Sequence, residues 1–246
     1  MTITTFEEFK ELAQRGTFVP VYKEIVADLL TPVSAFLKIA EHSDYAFLLE
    51  SVEGGEHVGR YSFLGKDPFL ILRARDGRTI IDRAGQTSES DKPFMPTLRE
   101  LMAGFSSPFV PGLPRFTGGA VGYLGYDAAA WFEPVPLQES PEDGQDEAGF
   151  MLFDTVLAFD HVRHRILVIA NARITGDEDL ESLYQFACAK IEFVERELER
   201  GLSRSTRSDA PAIDVTSMGE RSGQCAFESG RSSSRSTNSI FAHANW

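Results

Sequence analysis

Four short stretches of this 246-residue chain carry the residue types from which chemistry is usually built. Leu48-Leu49-Glu50-Ser51 ends an apolar run with a carboxylate and a hydroxyl. His161 and His164 form an HxxH beside Asp160, and Gly118 to Asp127 reads GGAVGYLGYD. Cys188 and Cys225 are the two thiols. Each has a reactive reading and a plain one. A metal at the histidine pair needs a third ligand, and in a turn a spacing of three does not converge as it does on a helix, so solvent-facing turn histidines are expected. The glycine-rich stretch lacks the Lys-Ser/Thr of a phosphate loop and the spacing of a dinucleotide loop. Gly118, Gly119, Gly122 and Gly125 are therefore read as permitting close backbone approach or sharp turns beneath Tyr123 and Tyr126. The cysteines make neither a metal spacing nor a disulfide framework.

Ser51 can both donate to and accept from a small ligand, or it can satisfy its own turn. Glu50 and Asp67 are too loosely related in sequence to define a carboxylate pair, and no Ser-His-Asp or Cys-His grouping is visible within these windows. At the level of residues alone, both readings of Ser51 stand.

The elements that would hold these groups follow from periodicity. Thr5 caps a short helix, with Glu8 returning the bond and Phe6, Phe9 and Leu12 on one face. Thr31 and Pro32 open a second helix whose inward face is expected to be Val33, Phe36, Leu37 and Ala40. YAFLLES (45–51) reads as a strand, EGGEH (53–57) as a loop and YSFLG as extended. FLILRARDGRTIIDR reads as a hairpin, because Asp76-Gly77 tolerates positive φ. SESDKPFMP is expected to be a loop and TLRELMAGF one or two helical turns. A short helix is expected from Asp127, and an exposed acidic loop over LQESPEDGQDE. FMLFDTVLAFD and RILVIANAR read as two buried strands around a turn. A long amphipathic helix is predicted over 177–200, capped by Thr175 and Glu178, with a stripe of Leu180, Leu183, Ala187, Ile191, Val194 and Leu198.

With 37 acidic against 24 basic residues and a formal charge of -13, the chain is unsuited to general nucleic-acid binding, though a small anion needs only a local positive patch. It has no apolar run of about 18 residues and no leader-like start, so a cytoplasmic location without a membrane partner is expected.

FLLES, GRYSFLG, FTGGAVGYLGYD and FMLFDTVLAFDHVRHRILVIANA, in this order, resemble the amino-terminal region of anthranilate synthase component I. The resemblance runs from about residue 6 to residue 200; para-aminobenzoate-forming relatives share parts of it. It implies an α+β fold of layered antiparallel sheets with packed helices. For a complete family member it implies conversion of chorismate to anthranilate and pyruvate, with Mg2+ as cofactor, ammonia from a glutamine amidotransferase component II as partner, and feedback inhibition by tryptophan. Carried onto this sequence, Ser51 becomes a tryptophan contact supported by Glu50 and Leu49. GRYSFLG is expected near the same effector region and GGAVGYLGYD near the join with the catalytic part.

Family members continue well beyond this length, and the later part holds the chorismate pocket and the metal carboxylates, so no catalytic or metal residue is assigned and Mg2+ is not expected to bind this chain alone. Residues 1–200 are read as the tryptophan-regulatory region, 201–220 as a linker and 221–246 as an aberrant, disordered tail. Seven of those last 26 residues are Ser, and the resemblance stops at Arg221, as a frameshift near 220–221 would cause. The competing readings are a stand-alone small-ligand sensor or interaction domain, and a fragment of a para-aminobenzoate-forming enzyme.

Overall fold

The computed structural model describes residues 3–26, 30–50, 59–134, 146–176 and 178–200, and the backbone of 238–242. Ser51, the 53–57 loop, most of the acidic loop and the 201–220 linker lie outside the described residues.

Two sheets form the centre. The first has the order β1 (Phe18–Val26), β10 (Arg165–Arg173), β9 (Thr155–Asp160), β3 (Tyr61–Lys66), β2 (Tyr45–Leu49) and β11 (Asn238–Ala242); only the β2–β11 pair in it is parallel. The second is antiparallel throughout, in the order β6 (Gln86–Ser90), β5 (Arg78–Arg83), β4 (Leu70–Arg75), β8 (Ala148–Phe153) and β7 (Gly119–Leu124). Helices α1 (Phe6–Ala13), α2 (Pro32–Ile39) and α4 (Leu180–Glu199) cover the outer face of the first sheet; α3 (Phe94–Ala103) covers the outer face of the second. This is the expected α+β arrangement of layered antiparallel sheets and packed helices.

Strand alternation sorts the core. Ala46, Leu48, Leu64 and Leu157 face the helices, whereas Phe47, Val156, Ala158, Leu167 and Ile169 meet Ile71, Met151 and Phe153 of the second sheet. β9 and β10 are buried on both faces, as their continuous apolar runs require.

FMLFDTVLAFD departs from the single strand that its sequence suggests. It divides at Asp154, so that β8 belongs to one sheet and β9 to the other. The Asp154 carbonyl accepts from Asn171 N at 2.7 Å and Asn171 Nδ2 at 3.0 Å, while its carboxylate meets Lys190 at 2.7 Å. Buried polar groups at such a corner need partners in the fold; the Asp154 carbonyl and carboxylate and both Asn171 nitrogens have them, while Asn171 Oδ1 is buried without one.

Other departures have equally local causes. α2 turns Ala35, Phe36 and Ile39 inward and leaves Val33 and Leu37 exposed, because the sheet below meets the face one residue round from the expected stripe. β6 is a fully polar edge strand, invisible to hydrophobic period, closed onto β5 by Ala84-Gly85 with φ of 51° and 81°. α3 starts at Phe94 rather than in the following TLREL, since Pro96 is tolerated in a first turn and Phe94, Thr97 and Leu98 are buried. The segment after Gly125 is a short 3-10 helix, Tyr126–Trp131. α4 is capped by Asp179, whose carboxylate accepts from Glu181 N and Ser182 N. Thr175 and Glu178 do bond to each other, but in the turn before the helix.

The Thr5–Glu8 capping box, the Asp76-Gly77 hairpin and the α4 stripe form as expected. Cys188, on α4, is half-buried, and burial pushes its thiol up, which suits a packing residue. No helix among the described residues is long and apolar enough to cross a membrane.

The glycine-rich stretch is structural. A Cβ on Gly122 would lie 2.0 Å from the Gly149 carbonyl oxygen and 2.6 Å from Phe150 Cα across the β7–β8 ladder. Gly122→Ala is therefore expected to cost about 2 kcal/mol in urea denaturation, because a strand rather than a side-chain tip must yield. An unchanged midpoint would show that β7 is loosely held.

Candidate functional site

Of the residues singled out by sequence, Leu49 and Glu50 lie at one end of the layer between the sheets. On β2, Tyr45, Phe47 and Leu49 point into this layer, and Leu49 stands opposite Phe63 of β3. Phe47 sits across from Gly65, where a Cβ would come within 2.4 Å of its ring; the absent side chain is what lets the ring lie flat against β3. The Phe47 ring meets Phe153 at 4.7 Å and Phe116 at 6.4 Å, and Phe116 meets Phe63 edge-on at 5.3 Å.

Burial falls along β2 toward this end. Phe47 is enclosed, while Leu49, Glu50, Tyr61, Phe63 and Phe116 are half-buried. Tyr61 lies 5.9 Å from Phe63 and carries the Arg60 guanidinium 4.8 Å over its ring. Arg60 in turn grips Asp160 through two hydrogen bonds, 3.1 and 2.8 Å, a paired geometry that fixes both groups. Burial pushes the Asp160 carboxyl up, but the Arg60 and Arg163 N–H bonds and the Arg60 and Arg165 charges outweigh it and hold the group below the usual carboxylate range. Burial and the Asp160 charge push the Tyr61 phenol up, so it stays a neutral donor.

Leu49 and Glu50 are thus placed together at the rim of an aromatic layer, beside the GRYSFLG segment; the partner position Ser51 lies outside the described residues. Sequence reading missed Phe116, which comes from an irregular stretch and reaches the layer only through tertiary packing. It also missed Asp160 as an anchor, since it viewed that residue only as a neighbour of the histidines.

His161 and His164 are exposed in the β9–β10 turn, as expected. His161 Nε2 is 2.8 Å from Ser62 Oγ, a nucleophile–base distance, yet Ser62 is fully buried on the helix side of β3 and cannot meet a substrate. No group of three metal-ligating side chains occurs among the described residues. The buried carboxylates Asp154, Asp160 and Glu197 each face a Lys or Arg, a donor set already neutralised and unsuited to Mg2+. This end of the layer groups the faces of Tyr61, Phe63 and Phe116 with Glu50 and the Arg60–Asp160 pair near its rim.

No family model matches the chain. Among curated proteins it is 46% identical over 190 residues to anthranilate synthase component 1 of Synechocystis, covering 76% of this chain and 37% of the relative. It is 39% identical over 199 residues to anthranilate synthase component 1 of Acetivibrio thermocellus, covering 80% and 40%. A solved structure of anthranilate synthase component I from Streptococcus pneumoniae overlaps 72% of this chain and 38% of its own, at 25% identity and a TM-score of 0.43. The chain therefore spans about two fifths of the length of the curated relatives it matches. Identity of this degree across three quarters or more of the sequence places the chain in the anthranilate synthase component I family.

Proposed function

We propose that this chain is the amino-terminal, tryptophan-responsive portion of an anthranilate synthase component I in tryptophan biosynthesis, and that the 246 residues alone do not turn chorismate into anthranilate. The observation that carries the reading is the placement of Leu49 and Glu50, in a family member, at the half-buried end of an aromatic layer. Leu49, Phe63, Tyr61 and Phe116 offer apolar faces to an indole. Glu50 and, in this reading, Ser51 supply the polar contacts that an amino acid needs at its other end.

The complete enzyme would use Mg2+ to polarise chorismate and ammonia from an amidotransferase component II to add nitrogen to the ring. Those steps belong to the part of the family's length that this chain does not span. Tryptophan bound between the sheets would act by favouring one of two arrangements of the whole enzyme, which requires unequal affinity for them.

Titration calorimetry of the chain with L-tryptophan tests the reading. Saturable binding is expected, weakened about tenfold or more by Phe63→Ala, since a lost aromatic face costs on the order of 1.4 kcal/mol or more. Absence of heat at millimolar tryptophan would remove the claim that these residues hold the effector. Anthranilate fluorescence with chorismate, ammonia and Mg2+ is expected to stay at the blank, and turnover above it would overturn the second half of the proposal.

A further inference from the structure

A second site lies on the opposite side of the molecule from α1, α2 and α4. The β4–β5 hairpin, the start of α3 and the 3-10 helix enclose a cleft of about 580 Å3, within the range of small-molecule pockets. Its wall is aromatic: Trp131 stands 5.7 Å from Phe94, itself buried against Phe150, and Phe132 beside them is exposed. Large aromatic side chains left open in a concave surface mark binding rather than packing.

The polar groups around this wall are mostly committed. Thr79 Oγ donates to Lys92 O at 2.7 Å, and Glu147 Oε1 accepts from Gly77 N at 3.3 Å. Arg78 holds an exposed pair with Glu89 at 2.8 Å, both side chains more than half exposed, which a competing anion can displace at little cost. Arg99, also lining the cleft and exposed, makes no ion pair among the described residues. In a chain of net charge -13, the cleft is thus lined by two arginines against one carboxylate.

From the aromatic wall and the uncommitted guanidinium, we propose that this cleft binds a small aromatic carboxylate, its ring against Trp131 and Phe132 and its carboxylate on Arg99 with Arg78 in support. Arg is suited to this because its planar donors match a carboxylate in pairs. The site is separate from the layer around Leu49 and does not depend on the tryptophan reading.

Amide-resolved NMR of the full 15N-labelled chain reports on it directly. The chain has two tryptophans, and Trp246→Phe assigns the Trp131 indole N–H. Naphthylacetate is expected to shift that signal saturably, while the neutral naphthylacetamide binds at least about fivefold more weakly, the difference a charge-assisted pair makes. Arg99→Gln should erase that preference and leave the amide's affinity unchanged; Phe132→Ala should weaken both ligands. Phe63→Ala should leave naphthylacetate binding as it was. Equal affinity for acid and amide, or an acid preference that survives Arg99→Gln, would overturn the proposal. So would competition by tryptophan together with sensitivity to Phe63→Ala, since that would place the ligand in the inter-sheet layer.

Discussion

Phe47→Ala is expected to lower stability by about 4 kcal/mol, the cost of removing a large ring from a core that cannot collapse around the void. The ring is 1% exposed and lies between Phe153 of the second sheet and Phe116, over a glycine that leaves β3 nothing to fill the space with. Most domains hold only about 5–15 kcal/mol in total, so the variant should unfold at much lower urea. The slope of the urea transition should stay the same if both states keep their compactness. The same change would loosen the strand two residues before Leu49, so tryptophan binding should weaken with stability. A loss below about 1 kcal/mol would mean that the sheets do not pack through this ring.

Asp160→Asn comes next, at about 3 kcal/mol near neutral pH. It leaves the Arg60 and Arg165 charges facing a buried group that no longer balances them. The pH dependence has a definite sign. Since the folded state holds this carboxyl below its ordinary value of 3.8, its contribution is complete above 3.8 and drains away as pH falls through the depressed folded value. The gap between wild type and Asp160→Asn should thus be full at neutral pH and narrow only in acid. Urea midpoints measured down a pH series check this; a gap that widens on acidification would contradict the assignment.

Much of the fold was legible in sequence wherever a local rule decides the matter. The Thr5–Glu8 cap, the Asp76-Gly77 turn, the continuous apolar runs of β9 and β10 and the α4 stripe each depend on neighbours a few residues away. The errors arose where distant parts decide. Nothing local says that Asp154 divides a ten-residue apolar stretch between two sheets, because the corner is set by Asn171 and Lys190. Nothing local marks Gln86–Ser90 as a strand, because an exposed edge has no buried face to leave a period. For the candidate site, the strand running up to Glu50 and the extended YSFLG segment were legible in sequence, whereas Ser51 lies outside the described residues. The contribution of Phe116 was not legible, since an irregular segment carries no periodicity to say which face it meets.

The pairing of β1 with β10 has a consequence for how this protein comes into being. Phe18 is matched to Arg173 and Val26 to Arg165, so the first strand made waits for nearly the last strand of the layered core. Loop-closure entropy must be met before that pairing returns any stability, which makes this topology slow to fold. During synthesis Val19 and Val21, both buried in the finished sheet, have no partner until residues 165–173 have left the ribosome. The growing chain is therefore at its most aggregation-prone between the synthesis of β1 and that of β10, and slowing elongation within that interval should harm its yield more than slowing it after β10 has emerged.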